Sequence, residues 1–461
     1  MLGFDVTGMR VTVAGAARSG IAAAELLAGR GAHVTLSDVR PHVSEAEPLK
    51  ALGVTLETGG HREGTFTRAD LVVLSPGVPS GQPMVAAARA AGVMVIGELE
   101  LAARWLVGRV IAITGTKGKS TTTTLTGRML EAAGFRVTVG GNIGAPLSAQ
   151  VPLSTPDTLH VVEASSFQLE LIDSFRPWVA VMLNLSPDHL DRHATMAAYT
   201  SAKMRIFENQ LAGDWAVINA DDPAVLEAAR QGRATRWLFG RRTSPDEGTA
   251  LDCEWIVDRH KGGVSRLVPV TAIHLLGSHL VDDVMAAVAV GTIAGARPEA
   301  MTEAVEHFKG LEHAMELVCD LDDVRFVNDS KATNVEAALR AIESFDDPVI
   351  PIVGGRFKGG DLRVLRAPLA AHARAVVSIG ESQALVREAL AGAVEIHDAA
   401  SLQDAVTKAY ELARPGGVVL LAPACSSLDM FRDYADRGQR FKQEVRRLAA
   451  ADGGKARLQK E

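Results

Sequence analysis

Short apolar runs alternate with amphipathic stretches along most of the chain. Between Met9 and Glu98, the runs MRVTVAG, AHVTLSD, DLVVLSPG and GVMVIGE are typical of buried strands. The stretch from Ile21 to Arg30 is typical of a helix that a glycine ends. The same rhythm restarts at Arg109 and again near Val324. The pattern therefore predicts an α/β protein in which helices cover parallel sheets.

The two restarts divide the chain into three predicted domains. We expect residues 1–97 to form a Rossmann-like N-terminal domain, residues 98–310 a central α/β domain, and residues 311–461 a Rossmann-like C-terminal domain. The stretch from Arg241 to Val270 is polar and only weakly β-like, which favours an inserted hairpin. The tail from Ala449 is expected to be frayed.

Composition excludes several classes of protein. The hydrophobic fraction of 47% is enough for packed cores, and 48 Lys and Arg against 55 Asp and Glu give a net charge of −7. This mild acidity argues against binding to nucleic acid or to a membrane surface. Three cysteines are too few for a disulfide framework. Since neither a signal peptide nor a membrane span is recognisable, we expect a soluble, cytoplasmic protein. Nothing in the sequence suggests an interface, so we expect a monomer.

The sharpest motif follows the apolar run RVIAITG and opens a helical stretch. Backbone N–H groups at a helix N-terminus attract phosphate, a lysine there adds charge, and a Ser or Thr hydroxyl can bind Mg²⁺. The loop has the short form G-x-x-G-K-[ST], since Ile113 stands where the longer motif has its first glycine. We expect ATP phosphates to bind at Gly115, Thr116, Lys117, Gly118, Lys119, Ser120 and Thr121. The loop therefore predicts that residues 98–310 form a central P-loop-type ATPase domain.

Acidic and histidine side chains follow two further apolar runs. Glu163 ends LHVVEAS, at the sheet edge where open α/β folds bind ligands, and can hold Mg²⁺ or cap the next helix. In the segment NLSPDHLDRH, His189 and His193 are four residues apart, a spacing that zinc could use. A Mg²⁺ site with one histidine is favoured if ATP binds nearby. The alternative is a polar loop in which Asp188 caps a helix.

Three other segments allow either a structural or a functional interpretation. From its own neighbours, Lys203 in YTSAKMRIFEN is a surface lysine on an amphipathic helix. In NDSKATN, Asp329 or Ser330 could cap a helix, or Lys331 could face an anion. The loop AGAARSG together with Asp38 is a loose match to a dinucleotide fingerprint, which favours a nucleotide-like ligand over NAD.

In their order along the chain, these motifs resemble the Mur ligase family, whose members add amino acids to the peptide stem of the peptidoglycan precursor. The segments SPG, GGNIG, EASSFQLE, NDSKATN and PACSSLDMF resemble those of the members that add D-glutamate, and the likeness extends to about Phe441. The resemblance implies an ATP-dependent enzyme that joins D-glutamate to UDP-N-acetylmuramoyl-L-alanine. It also implies an acyl-phosphate intermediate and Mg²⁺, with two ions.

The resemblance further implies roles for individual residues. Those at the UDP end of the substrate would be Arg18, Ser19, Asp38, Arg40 and Gly77, and those along its muramoyl-alanine part Asn142, Ser165 and Gln168. Mg²⁺ would lie among Ser120, Glu163 and His189, and Lys203 matches a lysine that CO₂ converts to a carbamate able to bind the second ion. The residues around the incoming glutamate would be Thr333, Lys358, Ser427, Leu428 and Tyr434. Asp329 and Lys331 would lie beside ATP.

The chain departs from the family pattern at a few positions. Leu280 and Asp283 stand where the family usually has asparagines on the adenine side of ATP. Ala314 follows His313 where the family has an arginine, so one phosphate-facing cation is lost. Lys117 replaces a common asparagine and could substitute for that charge. Since the catalytic set is present, we do not expect an inactive enzyme.

Other functions remain open on the sequence. A related ligase could add L-alanine or a diamino acid to the precursor, or could add glutamate to a folate. The segment PACSSLDMF favours D-glutamate over these alternatives. A P-loop protein could hydrolyse ATP without ligation, but mere binding does not need Glu163, His189 and Lys203 together. An NAD oxidoreductase is the weakest alternative.

Overall fold

The computed structural model describes residues 4–43, 45–188, 192–193, 195–260, 262–274, 279–452 and 456–458. The chain forms two compact units. One comprises Met1–Ile273 and Asp282–His307, and the other His274–Val281 and Phe308–Glu461. In the described part of the chain, no helix combines the length and the apolar character that crossing a membrane requires.

The first unit begins with a five-stranded parallel sheet in the order β3-β2-β1-β4-β5. Its strands are β1 (Arg10–Ala14), β2 (His33–Asp38), β3 (Thr55–Thr58), β4 (Leu71–Leu74) and β5 (Met94–Gly97). The helices are α1 (Arg18–Gly29), α2 (Ala46–Ala51), α3 (Glu63–Thr67), α4 (Pro83–Ala90) and α5 (Glu98–Ala103). The strand order reverses between β1 and β4, so a crevice opens at their carboxyl ends, where such folds bind ligands.

The same unit contains a nine-stranded sheet in the order β14-β13-β12-β11-β10-β9-β6-β8-β7. Its strands are β6 (Arg109–Thr114), β7 (Arg136–Gly141), β8 (Thr158–Glu163), β9 (Val179–Met182), β10 (Trp215–Asn219), β11 (Thr235–Gly240), β12 (Gly248–Asp252), β13 (Trp255–His260) and β14 (Gly263–Pro269). The predicted hairpin within Arg241–Val270 is present as β12, β13 and β14. These three strands pair antiparallel with one another and extend one edge of the sheet, so they are not a separate insertion.

Helices of the central region connect these strands and cover the sheet. They are α6 (Lys119–Ala132), α7 (Leu147–Gln150), α8 (Ser166–Leu169), α9 (Met196–Met204), α10 (Pro223–Ala228), α11 (His279–Ala294) and α12 (Pro298–His307). A continuous apolar core joins Leu99 and Ala102 of α5 to Val110 and Ala112 of β6. Because each fully buried leucine or valine contributes about 1.5–3 kcal/mol, this core holds α5 against the second sheet.

The second unit contains a seven-stranded sheet in the order β19-β18-β17-β20-β16-β15-β21. Its strands are β15 (Glu316–Leu321), β16 (Val324–Asn328), β17 (Val349–Gly354), β18 (Ala375–Ile379), β19 (Glu395–Asp398), β20 (Val418–Leu421) and β21 (Ala456–Leu458). The helices are α13 (Val335–Ile342), α14 (Arg366–His372), α15 (Gln383–Leu390), α16 (Leu402–Ala413) and α17 (Tyr434–Asp452). The predicted α/β class is confirmed.

The prediction of a frayed tail from Ala449 is wrong. Helix α17 continues through Asp452, and β21 pairs antiparallel with β15 at the edge of the sheet. Phe441 and Val445 of α17 belong to the apolar core under this sheet, and their burial anchors the helix. The polar composition of the tail hid this anchoring.

Candidate active site

The phosphate loop lies between β6 and α6, as the sequence predicts, and a neighbouring strand fixes its shape. Asn184, which follows β9, accepts hydrogen bonds at Oδ1 from Thr116 N (3.1 Å) and Lys117 N (2.8 Å). Its Nδ2 donates to Lys117 O (3.1 Å). Gly118 has φ +83°, in the left-handed region that favours glycine. Sequence reasoning did not single out Asn184, whose only signal is its place directly after an apolar run.

Lys119 curls back over the loop from the first turn of α6. Its Nζ donates to Gly115 O (2.9 Å) and Thr116 O (2.8 Å). The ammonium group is therefore held at the centre of the loop, where it can face a phosphate. By contrast, Lys117 Nζ lies 3.3 Å from Asp188 Oδ2, so its charge is already engaged by a carboxylate.

Glu163 ends β8 beside the phosphate loop, and its side chain is 2% exposed. Its Oε2 accepts a hydrogen bond from Ser120 Oγ (2.7 Å), and its Oε1 accepts one from Asn142 Nδ2 (2.7 Å). The structure thus brings together two of the oxygen ligands expected for Mg²⁺. The interpretation of Glu163 as a helix cap is wrong, because the side chains of Ser165 and Gln168 form the capping box of α8.

Lys203 is buried, and the interpretation as a surface lysine is wrong. Its side chain in α9 is 2% exposed, Nζ donates to Gly115 O (2.8 Å), and Nζ lies 4.7 Å from the centroid of the Tyr199 ring. Burial and the nearby charge of Lys119 lower the pKa of Lys203 to about 6, against the opposing effect of Asp188 and Glu163. At neutral pH this side chain is therefore mainly an uncharged amine, which can act as a nucleophile.

The segment after β9 gives little support to a zinc site. His189 and Asp191 lie outside the described residues. His193 is buried, its Nε2 lies 3.0 Å from Ser166 Oγ, and its Nδ1 lies 3.2 Å from Glu170 Oε1. Because both ring nitrogens have partners in or next to α8, His193 has a packing role. The prediction for His189 stays a prediction.

A cavity of about 420 Å³ opens at the carboxyl ends of β1 and β4. Six of the residues predicted for the UDP-linked substrate line it, namely Arg18, Ser19, Asp38, Arg40, Gly77 and Asn142. Ser165 and Gln168 are not among the lining residues. Burial raises the pKa of Asp38, but hydrogen bonds from Arg40 and from Ala16 N outweigh this effect and hold it at about 2. Asp38 is thus a fixed anion in the crevice.

Two loops of the second unit carry the residues predicted around glutamate and ATP. The loop after β16 holds Asp329, Lys331 and Thr333, and the loop after β20 holds Ser427 and Leu428. Lys358 is exposed after β17, and Tyr434, which is 41% exposed, begins α17. All seven residues thus belong to one unit.

Arg437 of α17 connects these two loops, and sequence reasoning missed it. Its guanidinium group donates to Ser330 Oγ (3.0 Å), Ser330 O (2.9 Å) and Cys425 O (3.2 Å). Arg437 is 2% exposed, and burial lowers its pKa to about 10. The charged group therefore fixes the loop after β16 relative to the loop after β20.

Asp283 of α11 packs against the phosphate loop, whereas the resemblance assigned its position to the adenine side of ATP. A side chain at Gly118 would collide with Asp283 Oδ1. Two other positions also depart from the family pattern, and their contacts do not indicate a role. Leu280 is 9% exposed. Ala314 follows His313, which has φ +64°.

We expect Gly118→Ala to destabilise the first unit by about 1–3 kcal/mol, because it adds both a strained φ and a collision with Asp283. Gly134→Ala is the matched control, since Gly134 has φ +86° and nothing within 4 Å of an added Cβ. Denaturant unfolding should therefore show a smaller loss for Gly134→Ala. Equal losses in the two variants would contradict the collision.

The parallel sheets, the phosphate loop and the crevice at the reversal of strand order define an α/β nucleotide-binding protein. Models of three families match in succession: the Mur ligase MurD-like N-terminal domain at residues 9–97, the Mur ligase middle domain at residues 113–291, and the Mur ligase glutamate ligase domain at residues 313–425. The chain belongs to the Mur ligase family.

Named relatives are similar over nearly their whole length. The UDP-N-acetylmuramoylalanine–D-glutamate ligase of Koribacter versatilis is 45% identical, over 96% of this chain and 99% of the relative. The ligase of the same name from Pelobacter propionicus is also 45% identical, over 96% and 100%. Among solved structures, a pseudomurein peptide ligase type C from Methanothermus fervidus has a TM-score of 0.60 at 18% identity, over 96% of this chain and 100% of that one. This last likeness supports the fold alone.

Proposed function

We propose that this protein joins D-glutamate to UDP-N-acetylmuramoyl-L-alanine in an ATP-dependent amide ligation, as a cytoplasmic step in the synthesis of the peptidoglycan precursor. The observation that carries the proposal is the convergence of three groups on the phosphate loop. These are the ammonium of Lys119, the oxygen pair of Ser120 and Glu163, and the uncharged amine of Lys203. The names of the relatives support the choice of substrates.

The first chemical step needs cations, because the alanyl carboxylate and the γ-phosphate of ATP are both anions. Lys119 supplies one positive charge at the loop. The oxygens of Ser120 and Glu163 lie 2.7 Å apart and are hard ligands of the kind that Mg²⁺ prefers. When bound there, Mg²⁺ would neutralise charge on the phosphoryl group as it is transferred. The carboxylate displaces ADP from the γ-phosphorus, which gives an acyl phosphate.

Asn142 would connect the substrate crevice to the phosphate loop. It lines the cavity at the carboxyl ends of β1 and β4, and it also donates to Glu163 Oε1. A substrate whose UDP end lies near Arg18, Asp38 and Arg40 would therefore extend past Asn142 towards the γ-phosphate. On this path, the acceptor carboxylate would lie close to the γ-phosphate of ATP.

Lys203 would act as a carbamate. Its buried amine is mainly uncharged at neutral pH, so its lone pair can add to CO₂. Loss of a proton then leaves an anion with two oxygens, which suits a second Mg²⁺ better than an ammonium group does. Placement of Nζ next to Gly115 O keeps these oxygens near the phosphate loop.

The second unit would bind the amino acid. Ser427, Leu428 and Tyr434, with Thr333 and Lys358, would surround D-glutamate, while Asp329 and Lys331 would lie beside ATP. The deprotonated amine of D-glutamate attacks the acyl phosphate, and the tetrahedral intermediate expels phosphate. We further propose that the domain boundaries lie at residues 97 and 310, that the protein is a monomer, and that it uses two Mg²⁺ ions.

The test measures phosphate release and the mass of the product with ATP, UDP-N-acetylmuramoyl-L-alanine and one amino acid at a time. We expect release with D-glutamate and much less with L-alanine or a diamino acid. Phosphate release that is the same without any amino acid would identify a simple ATPase. Release that needs L-alanine and UDP-N-acetylmuramate without a peptide, or glutamate and a folate, would reject the D-glutamate assignment.

A further inference from the structure

Asp283 is a buried carboxyl group in contact with the nucleotide loop. It lies on α11, is 4% exposed, and approaches Gly118 so closely that a Cβ there would collide with its Oδ1. Gly118 is the residue at which the phosphate loop enters α6. Within the described part of the chain, Asp283 Oδ2 is buried and has no hydrogen-bond partner. One oxygen thus packs on the loop, and the other has unused hydrogen-bonding capacity.

The charged groups that face Asp283 come from two elements. Lys119 approaches from α6, and Asp282 adjoins it on its own helix. Asp282 is itself paired with Arg241, whose Nε lies 3.1 Å from Asp282 Oδ1. Burial and the charge of Asp282 raise the pKa of Asp283 to about 8, although the side chain of Thr122 and the charge of Lys119 oppose them. At neutral pH Asp283 therefore mainly carries a proton.

We propose that Asp283 is a neutral carboxylic acid at the nucleotide site, and that the nucleotide binds only while this carboxyl group carries its proton. A protonated Asp283 can donate one hydrogen bond from its O–H, as an amide side chain of similar shape could. A deprotonated Asp283 places a negative charge against the turn that binds phosphates and repels them. This inference rests on the proposed function only in that the loop binds a nucleotide.

The expected consequence is a loss of nucleotide affinity at alkaline pH. A bound polyphosphate raises the pKa of Asp283 further, because a second anion beside it disfavours the carboxylate. Affinity should then fall by up to about tenfold for each pH unit above about 8, and binding should take up a proton in that range. Below this range Asp283 is already protonated, so it should add no pH dependence.

The experiment is isothermal titration calorimetry of the full chain with ADP and Mg²⁺, without sugar nucleotide or amino acid, between about pH 7 and about pH 9.5. Each pH is measured in buffers of different ionisation enthalpy, so that proton uptake is obtained directly from the wild-type protein. Asp283→Asn keeps the shape and the donor but cannot ionise. We expect this variant to lose both the alkaline decline and the proton uptake.

Two further variants make the test specific. Asp282→Asn should move the decline to lower pH, because removal of the neighbouring charge lowers the pKa of Asp283. Asp258→Asn is the matched control, since Asp258 in β13 also has a buried oxygen without a partner and a raised pKa. Asp258→Asn should show the same alkaline decline in ADP affinity and the same proton uptake as the wild type.

The same pH dependence in the wild type and in Asp283→Asn would overturn the inference, as would binding without proton uptake at alkaline pH. Absence of ADP binding at every pH would reject the inference together with the proposed function. Normal proton-linked ADP binding without D-glutamate ligation would reject the proposed function alone.

Discussion

Turnover is expected to fall by about 10²–10³ when Lys119 is replaced by alanine, which is the usual effect of losing one preorganised electrostatic stabiliser. In the structure, Lys119 Nζ is held by two carbonyl oxygens of the loop, so the charge is placed before the substrate arrives. The loss should lie mainly in kcat, because charge on the phosphoryl group changes most in the transition state. Steady-state phosphate release with all three substrates measures it.

Lys117→Ala provides the comparison within the same loop. Lys117 is paired with Asp188, so its removal should cost less than removal of Lys119. Lys119→Arg keeps the charge but not the shape, and it should recover only part of the rate. Near-native kcat in Lys119→Ala, or equal losses at both lysines, would contradict the assigned role of Lys119.

Activity is expected to be lost when Lys203 is replaced by alanine, and short carboxylic acids added in solution should restore part of it. The physical reason is that a small carboxylate can enter the space left by the side chain and supply the two oxygens of the carbamate. The pKa of about 6 also predicts a pH dependence for the native enzyme. As pH falls through about 6, the amine becomes protonated and can no longer add CO₂, so activity should fall on the acid side.

Native mass spectrometry of the wild type should find one added CO₂ per chain, and this mass should be absent from Lys203→Ala. Lys50→Ala is a suitable control, because Lys50 is exposed and its ammonium group pairs with the neighbouring Glu47 in α2. That variant should keep both the added mass and the activity. A fully active Lys203→Ala, or a native chain without CO₂, would reject the carbamate.

Most strands could be predicted because an apolar run is a local signal. Strand β4, with the sequence LVVL, is fully buried, and β6, with RVIAIT, is buried after its first residue, so both have a nearly continuous apolar sequence. Strand β3, with the sequence TLET, and β19, with EIHD, are short and polar, and they lie at sheet edges where no such run is needed. Sequence therefore predicts the strands that carry an apolar run, including the edge strand β5, and misses polar edge strands such as β3 and β19.

The site was predictable in part for a similar reason. Gly115 to Thr121 is a contiguous motif, so it could be located without knowing the fold. The burial of Lys203 depends on α9 packing behind the loop, which its own helix pattern does not reveal. The same applies to Asn184 and Arg437, each of which bonds to backbone groups far away in sequence. Backbone N–H and C=O groups leave no motif of their own, so such contacts appear only in the structure.

The hydrogen bonds of Asn184 have a consequence for the energetics of binding. Since this side chain already orders the backbone at Thr116 and Lys117, the loop does not need a ligand to acquire its shape. Little conformational entropy is then lost when the nucleotide arrives, and more of the interaction energy remains available for affinity. The strand order, which places β9 beside β6, thus lets the side-chain amide of Asn184 preorganise the nucleotide site.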